Sequence, residues 1–574
     1  MGHEQRMRRL AAVIILCAAC GPVTVDPANS DGGPTGRCVD GQKRCDGNVL
    51  RPCLGGTWGA ATRCPSACDA RLGCTSCKPG TGTCSDETAS ICLPDGSGYK
   101  DFRCDPTQGL GCNEVGVCDG PCAPQYLGTN YVGCEYFPTV TANAVDSNFH
   151  FAVAVSNTTN EVALVTIDGG ALDSPFLFEV APASVQVQTL PWVPSLKACM
   201  SYGQIECGYV DAPAALAIRG AYHLRSTRPV TVYQFNPLEY ALEEQYSYSN
   251  DASLLIPTNA MTGDYMVATW PPWDGGFWYD KSPCLLAITA TVDATAVTVT
   301  TKADTRAGGG APAFTAGVPQ TVTLNQGDVL ELLSTSGDLT GSTVKADKAV
   351  QVIGGHYCTQ VPFGLQACDH LEESMFPVDS LSKKYIVTAP AVPSLPDGKV
   401  EIVRIVATQP ETSLTYDPPI DAPDYLWQAG DVVEIPMGPN EFQITGDHKI
   451  LIAQFMTAQD AGGGTGDPAM ALAVPVDQYR LSYLFHAPLS YETNYVNVVA
   501  PIDAAISLDG QALGGWRPIG DTGYAILRVV LGTGTSGNHM INGTRPFGIS
   551  VYGYGQYTSY WYPGGLDLTP IPID

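Results

Sequence analysis

The chain's most specific set of chemistry-bearing residues lies in Gly355–Glu373. There His356-x-Cys358 and Cys368-x-His370 form a palindrome of two thiols and two imidazoles, and that donor set suits tetrahedral zinc. The same two cysteines can instead close a disulfide loop, which is the favoured reading for a chain outside the reducing cytosol. His356 and His370 then become turn or core residues, and the metal site built from His356, Cys358, Cys368 and His370 stays the weaker alternative. Cys199 and Cys207 suggest a second short disulfide loop, leaving Cys284 without an evident partner. The sequence has no Gly-x-Ser-x-Gly elbow, no His-Glu-x-x-His and no phosphate-cradling glycine loop followed by Lys-Ser/Thr. Carboxylates are plentiful, but a glycosidase pair is defined by spatial separation, which a sequence does not display. The expectation is a non-enzyme without a cofactor, with an extracellular hydrolase as the least favoured reading.

Aromatic residues offer a different chemistry. Trp270-Pro-Pro-Trp-Asp-Gly-Gly-Phe-Trp-Tyr279 gathers Trp270, Trp273 and Trp278 in one Pro/Gly-rich stretch. Exposed rings on such a loop stack on sugars or anchor protein partners, so these three are the candidate ligand-binding residues. The equally dense Tyr552–Tyr562 tail reads instead as rings capping the ends of sandwiches.

The first twenty residues are MGHEQRMRRLAAVIILCAAC: arginines, a short apolar run, then Ala18-Ala19-Cys20. The run is about half the ~20 residues a membrane span requires, and the order is that of an export signal. Its ending resembles bacterial lipoprotein signals, which implies lipidation at Cys20. Gly21, not Asp, follows that cysteine, which favours the outer membrane or cell surface as destination. Residues 21–37 offer almost nothing to bury and read as a flexible tether. With 57 acidic against 30 basic residues the formal charge is −27, which argues against a nucleic-acid partner.

Of 21 cysteines, fourteen lie between Cys38 and Cys134. Cys38, Cys45 and Cys53 have the spacing of Cys77, Cys84 and Cys92, so this region is a duplicated Gly-rich unit stapled by disulfides whose pairing the spacing leaves open. Beyond residue 140, Val, Thr, Tyr and Ile alternate with polar residues between Gly, Pro, Asn and Asp, the period of strands and turns. Only Leu238–Tyr246 reads as helix. Two markers recur in step. Polar turns leading into apolar strands begin at Thr227, Asp347, Asp447 and Thr544; Pro257, Pro377 and Pro475 each stand eight residues before Tyr265, Tyr385 and Tyr483. A unit of about one hundred residues suits a sandwich and exceeds a ~45-residue propeller blade.

Tyr222–Asn236, Val344–Cys358, Val361-Pro362 and Ala367-Cys-Asp-His-Leu371 resemble hallmark segments of the immunoglobulin G Fc-binding protein family's N-terminal domain. The similarity covers roughly residues 150–560. It implies an extracellular, non-catalytic module associated with adhesion or matrix binding. The von Willebrand factor type D repeats that accompany the module in animals are lacking here, so immunoglobulin binding is not implied.

The expectation is therefore an all-β chain of tandem sandwich-like repeats behind a small disulfide-rich region: signal 1–19, lipidated Cys20 and tether 20–37, Cys-rich repeats 38–137, and β units 138–240, 241–365, 366–465 and 466–574. It is expected to be exported, held at a membrane through Cys20, and to bind an extracellular protein or matrix ligand, or alternatively a glycan or mucus ligand through its aromatic loops.

Overall fold

A computed structural model describes residues 37–200, 214–243, 245–274, 281–532 and 536–572. They form two compact units, the first comprising the described residues up to Phe102 with Asn113–Val117, the second Arg103–Cys112 with Cys118 onward.

The first unit is built of short antiparallel strands with little apolar interior, and cystines replace a core there. The repeated spacing is expressed in repeated pairing: Cys38–Cys53 matches Cys77–Cys92, and Cys45–Cys68 and Cys64–Cys74 complete the first set. In the second unit Cys104–Cys118 and Cys122–Cys134 continue the series.

The rest of the second unit is almost entirely antiparallel β, as its alternation predicts. Four sheet systems succeed one another, each organised by a long strand and a short return strand. The long strands are β1 (Tyr222–Asn236), β3 (Val350–Thr359), β5 (Glu441–Met456) and β7 (Asn538–Gly555). The return strands are β2 (Asp251–Leu254), β4 (Asp369–Ser374), β6 (Met470–Leu472) and β8 (Thr558–Pro563). Each return strand pairs with the long strand before it. Divisions at 240, 365 and 465 would separate these partners; in the sheets the joints fall at Pro257, Pro377 and Pro475, which follow the return strands. The segment read as helix, Leu238–Tyr246, is a small hairpin of Ala241–Leu242 with Gln245–Tyr246, turned through Glu243 at positive φ.

The tyrosine marker has a structural meaning. Tyr265, Tyr385 and Tyr483 are buried, and their hydroxyls donate to the main-chain carbonyls of Val350 (2.8 Å), Ile450 (2.6 Å) and Phe547. Each hydroxyl also accepts the N–H three residues earlier, from Thr262, Ser382 or Arg480. The same ring exists in the first repeat, where Tyr136 donates to the Val230 carbonyl at 2.6 Å. Each tyrosine thereby satisfies main-chain groups that would otherwise be buried unpaired, and beside Tyr136, Tyr385 and Tyr483 the pairing register with the long strand shifts.

The repeats do not hang as separate beads. β2 packs on β4, β4 on β6, β6 on β8 and β8 back on β2, closing a ring. Tyr265 bridges to Pro377 and Tyr385 to Pro475, linking successive repeats. One continuous apolar core runs from Tyr131 through all four repeats to Leu568. The closing joint is made by the chain's last described stretch: Leu566 accepts the Tyr131 N–H and Gly564 accepts the Tyr233 hydroxyl. Gly565 has φ +146° and lies against the Tyr131 ring, where a Cβ would fall 2.4 Å from it, so only glycine fits.

Candidate functional site

At the centre of the ring sits Asp251, wholly buried at the start of β2. Its Oδ1 accepts the N–H of Ala252 (2.9 Å) and Trp561 (3.1 Å), and its Oδ2 those of Glu372 (3.1 Å) and Met470 (3.0 Å). Ala252, Glu372 and Met470 each stand five residues before the repeat's proline, and Trp561 is their counterpart on β8. One carboxylate thus ties together one N–H from every repeat. Burial pushes its pKa well up, while the four N–H bonds pull it down.

Around this hub the buried carboxylates are held by a network of donors. Glu372 accepts from Thr141, Gln234, Ser253 and Asn236. Asp369 accepts from the Asn250 N–H at 2.6 Å and the Thr558 hydroxyl at 3.0 Å. Glu331, raised to about 8 by burial, accepts the Ala142 N–H at 2.8 Å. A hydrolase would need two such carboxylates facing a cleft; these are enclosed and engaged by main-chain and side-chain donors that hold the ring together.

Above the hub, the loops joining long to return strands meet. Gln556 N–H donates to the Tyr240 hydroxyl (2.9 Å), and Tyr557 N–H to Gln459 Oε1 (3.0 Å). Ala458 N–H donates to the Val361 carbonyl (2.8 Å), and Ala367 N–H to Asp467 Oδ1 (3.1 Å). Loops of all four repeats are therefore stitched into one face. Its floor is fixed by Lys399, whose buried ammonium donates to the carbonyls of Thr457 (2.8 Å) and Thr465 (3.1 Å). Burial lowers the Lys399 pKa and raises that of Asp467. The face displays rings: Tyr246, 45% exposed, lies 5.3 Å from Tyr240 and 5.6 Å from Tyr248, and Phe363 is 47% exposed. Tyr248 and Tyr557 are held at positive φ, a conformation bulky residues seldom adopt.

The sequence-derived candidates distribute unevenly over this face. Trp270 is no platform: it is 4% exposed, its ring 4.9 Å from Phe455 and edge-on to Phe363, with the Arg404 guanidinium over its face at 5.4 Å. Arg404 itself is fixed by Thr269, Thr340 and Asp338. The Trp270 indole fills the joint between the second and third repeats. Trp273 is half-buried at the neck of the loop, where its N–H and carbonyl exchange hydrogen bonds with Ser282. Trp278, Cys20 and Cys207 lie outside the described residues; Cys199 is disulfide-bonded.

Cys358 and Cys368 form a disulfide (S–S 2.12 Å), which leaves no thiolate for a metal. Strand register disperses the remaining donors too. His356 pairs with Leu371, so His370, its neighbour on β4, points to the opposite face and meets Thr141 and Asn236. Both histidines are buried core residues, and burial drives His356 down to about 3. The zinc alternative of His356, Cys358, Cys368 and His370 fails on these two counts. Cys284 is a buried free thiol, pushed up by burial and in contact with the Ser334 and Gly337 carbonyls. The hub and the tyrosine-bearing loop escaped sequence reasoning. The one signal for the hub was an aspartate at the start of two return strands, Asp251 and Asp369, with Asp467 three residues ahead of a third.

A family described as "IgGFc binding protein" matches residues 251–553. The human protein named IgGFc-binding protein is 28% identical over 316 residues, which is 54% of this chain and 6% of that protein. The chain thus spans a small fraction of this relative's length. A crystal structure titled as a tetra-tandem repeat in the extending region of a large adhesion protein aligns at 12% identity over 76% of this chain and 99% of that one; its TM-score of 0.09 carries no argument about fold.

Proposed function

The chain belongs to the IgGFc-binding protein family, and we propose from that premise that it is an exported, lipid-anchored binding protein that takes an extracellular protein or matrix ligand on the loop face. The observation carrying this reading is the convergence of four loops, one per repeat, into a single ring-bearing face above a fixed polar floor. Loops on a rigid scaffold are where recognition residues concentrate. Partly exposed tyrosine and phenylalanine supply large contact area at low entropic cost. The anchor rests on the Ala-Ala-Cys20 signal, and the adhesion role on the family resemblance together with the disulfide-stapled amino-terminal unit, whose cross-links suit an oxidising exterior.

The test is binding of the full-length protein to immobilised immunoglobulin G Fc, matrix glycoproteins and mucin, with Tyr246→Ala and Phe363→Ala as variants. A loss of tenfold or more, with unfolding temperature unchanged, is expected for at least one protein ligand. Binding that survives both substitutions would sink the assignment of this face. A glycan array in which Trp273→Ala alone abolishes recognition would establish the glycan reading instead. Cys20→Ala is expected to move the protein from the membrane to the soluble fraction; unchanged membrane retention would remove the anchor.

A further inference from the structure

The four repeats place an equivalent strand at the outer edge of the sheet system, paired, among the described residues, on one side only. These edges are Phe176–Val180, Gln320–Leu324, Tyr425–Leu426 and Gln511–Ala512. Each pairs with a strand that in turn pairs with the repeat's long-strand system.

A free edge presents a row of main-chain donors and acceptors that another chain can pair with, and stable proteins blunt such edges by shortening or polarising them. Three of these four edges are blunted. Those of the third and fourth repeats are cut to two residues, and that of the second turns Thr321 and Thr323 outward. The first repeat's edge is neither short nor polar. It reads Phe-Leu-Phe-Glu-Val, with Phe176 39% and Leu177 62% exposed, and Leu164 of the neighbouring strand 39% exposed beside them. Alternation puts Phe176 and Phe178 on one face of the strand and Leu177 and Glu179 on the other. The rings of Phe176 and Phe178 lie 5.8 Å apart, a continuous apolar strip along the edge. The ionisable group on the strand is the exposed carboxylate of Glu179, and exposed Asp173 lies just before it.

We propose that Phe176–Val180 is a strand-addition site for an extended segment of a partner protein in which apolar residues alternate with lysine or arginine. Main-chain pairing along the edge supplies the affinity. Apolar side chains on one face of the added strand cover Phe176 and Phe178, and a cation on the other meets Glu179, the division of labour that strand addition uses elsewhere. The chain's formal charge of −27 disfavours a second copy in this place and favours a cationic segment. The site stands apart from the loop face and does not depend on it.

The experiment is hydrogen exchange on the full-length protein with three synthetic decapeptides: valine alternating with lysine, valine alternating with glutamate, and the lysine peptide with a central proline. The lysine peptide is expected to slow exchange within 176–180 and leave 320–324, the matching edge in the same molecule, unchanged; the other two peptides do neither. Phe176→Thr, which takes an exposed ring off the apolar strip, and Glu179→Lys are each expected to weaken binding at least tenfold with an unaltered melting temperature. The proposal is overturned if the lysine peptide gives no protection, if the glutamate peptide or the 320–324 edge responds equally, or if both variants bind as wild type does. Concentration-dependent dimers abolished by Phe176→Thr would overturn it in favour of a second copy of the chain.

Discussion

Asp251→Asn changes a side chain by one atom and is expected to be among the most damaging conservative substitutions in the molecule. The wild-type carboxylate offers two oxygens, each accepting two N–H groups, so that Ala252, Glu372, Met470 and Trp561 are all satisfied. Asparagine keeps one oxygen and replaces the other with a donor. Whichever way the amide turns, two of the four N–H groups then face an NH2 group in a place water does not reach. Each buried donor left unsatisfied costs about 1–3 kcal/mol, giving about 2–6 kcal/mol for the pair. The comparison is Asp503→Asn, which removes an exposed ion pair with Arg545 worth about 0–1 kcal/mol. Thermal unfolding of both variants supplies the global measure, and amide exchange at residues 252, 372, 470 and 561 the local one. Loss of protection at two of these amides, in two different repeats, is the expected signature. A variant as stable as wild type, with all four amides still protected, would refute the idea that one carboxylate locks the ring.

Three further expectations follow from the same reasoning. Burial raises Glu331 from 4.5 to about 8, so the folded state keeps a proton that the unfolded chain loses; stability from this group is complete below pH 4.5 and is lost as pH rises through about 8. Glu331→Gln removes that dependence, and the stability difference between variant and wild type should shift by about 3 kcal/mol in the variant's favour between pH 5 and pH 8; a pH-independent difference would contradict the assignment. Tyr385→Phe strips the Ile450 carbonyl and the Ser382 N–H of their buried partner, costing about 2–4 kcal/mol in chemical denaturation, and a loss below 0.5 kcal/mol (roughly the noise of a surface substitution) would deny the tyrosine its structural role. Arg404→Ala uncovers the Trp270 ring and leaves Asp338 without its cation; Trp270 fluorescence should report the exposure, and an unchanged spectrum would mean the indole is held by Phe455 alone.

The long-range period was legible because repetition multiplies a weak local signal. The eight-residue interval from proline to tyrosine, occurring three times, marked a joint whose chemistry the structure supplies. Its fourth instance was silent: Gly128 stands eight residues before Tyr136, so the first repeat shares the ring without sharing the marker. The hub was hidden for a different reason. Asp369–Ser374 reads Asp-His-Leu-Glu-Glu-Ser, a surface strand by hydropathy, yet all six residues are buried. Burial of so polar a strand depends on donors from three other strands hundreds of residues away, and no local pattern encodes them. Trp270 misled in the opposite direction, since its prolines announced a loop while the cation and rings that enclose it come from Arg404, Phe363 and Phe455. Register, finally, decides between zinc ligands and core histidines: His356 and His370 are symmetric about the cysteines in sequence but face opposite ways across a β pair.

The joint that closes the ring sets a clock on the molecule's assembly. Tyr233 reaches Gly564 across 331 positions of sequence, and Tyr131 waits for Leu566. A chain delivered amino terminus first can pair its strands repeat by repeat, yet the seam of the first repeat stays open until Gly564 and Leu566 have emerged. Contacts so distant in sequence form late and slowly. During that interval the apolar walls around Tyr131 and Tyr233 face solvent, and the nascent protein is exposed there to proteases and to wrong partners until residues 564–566 arrive.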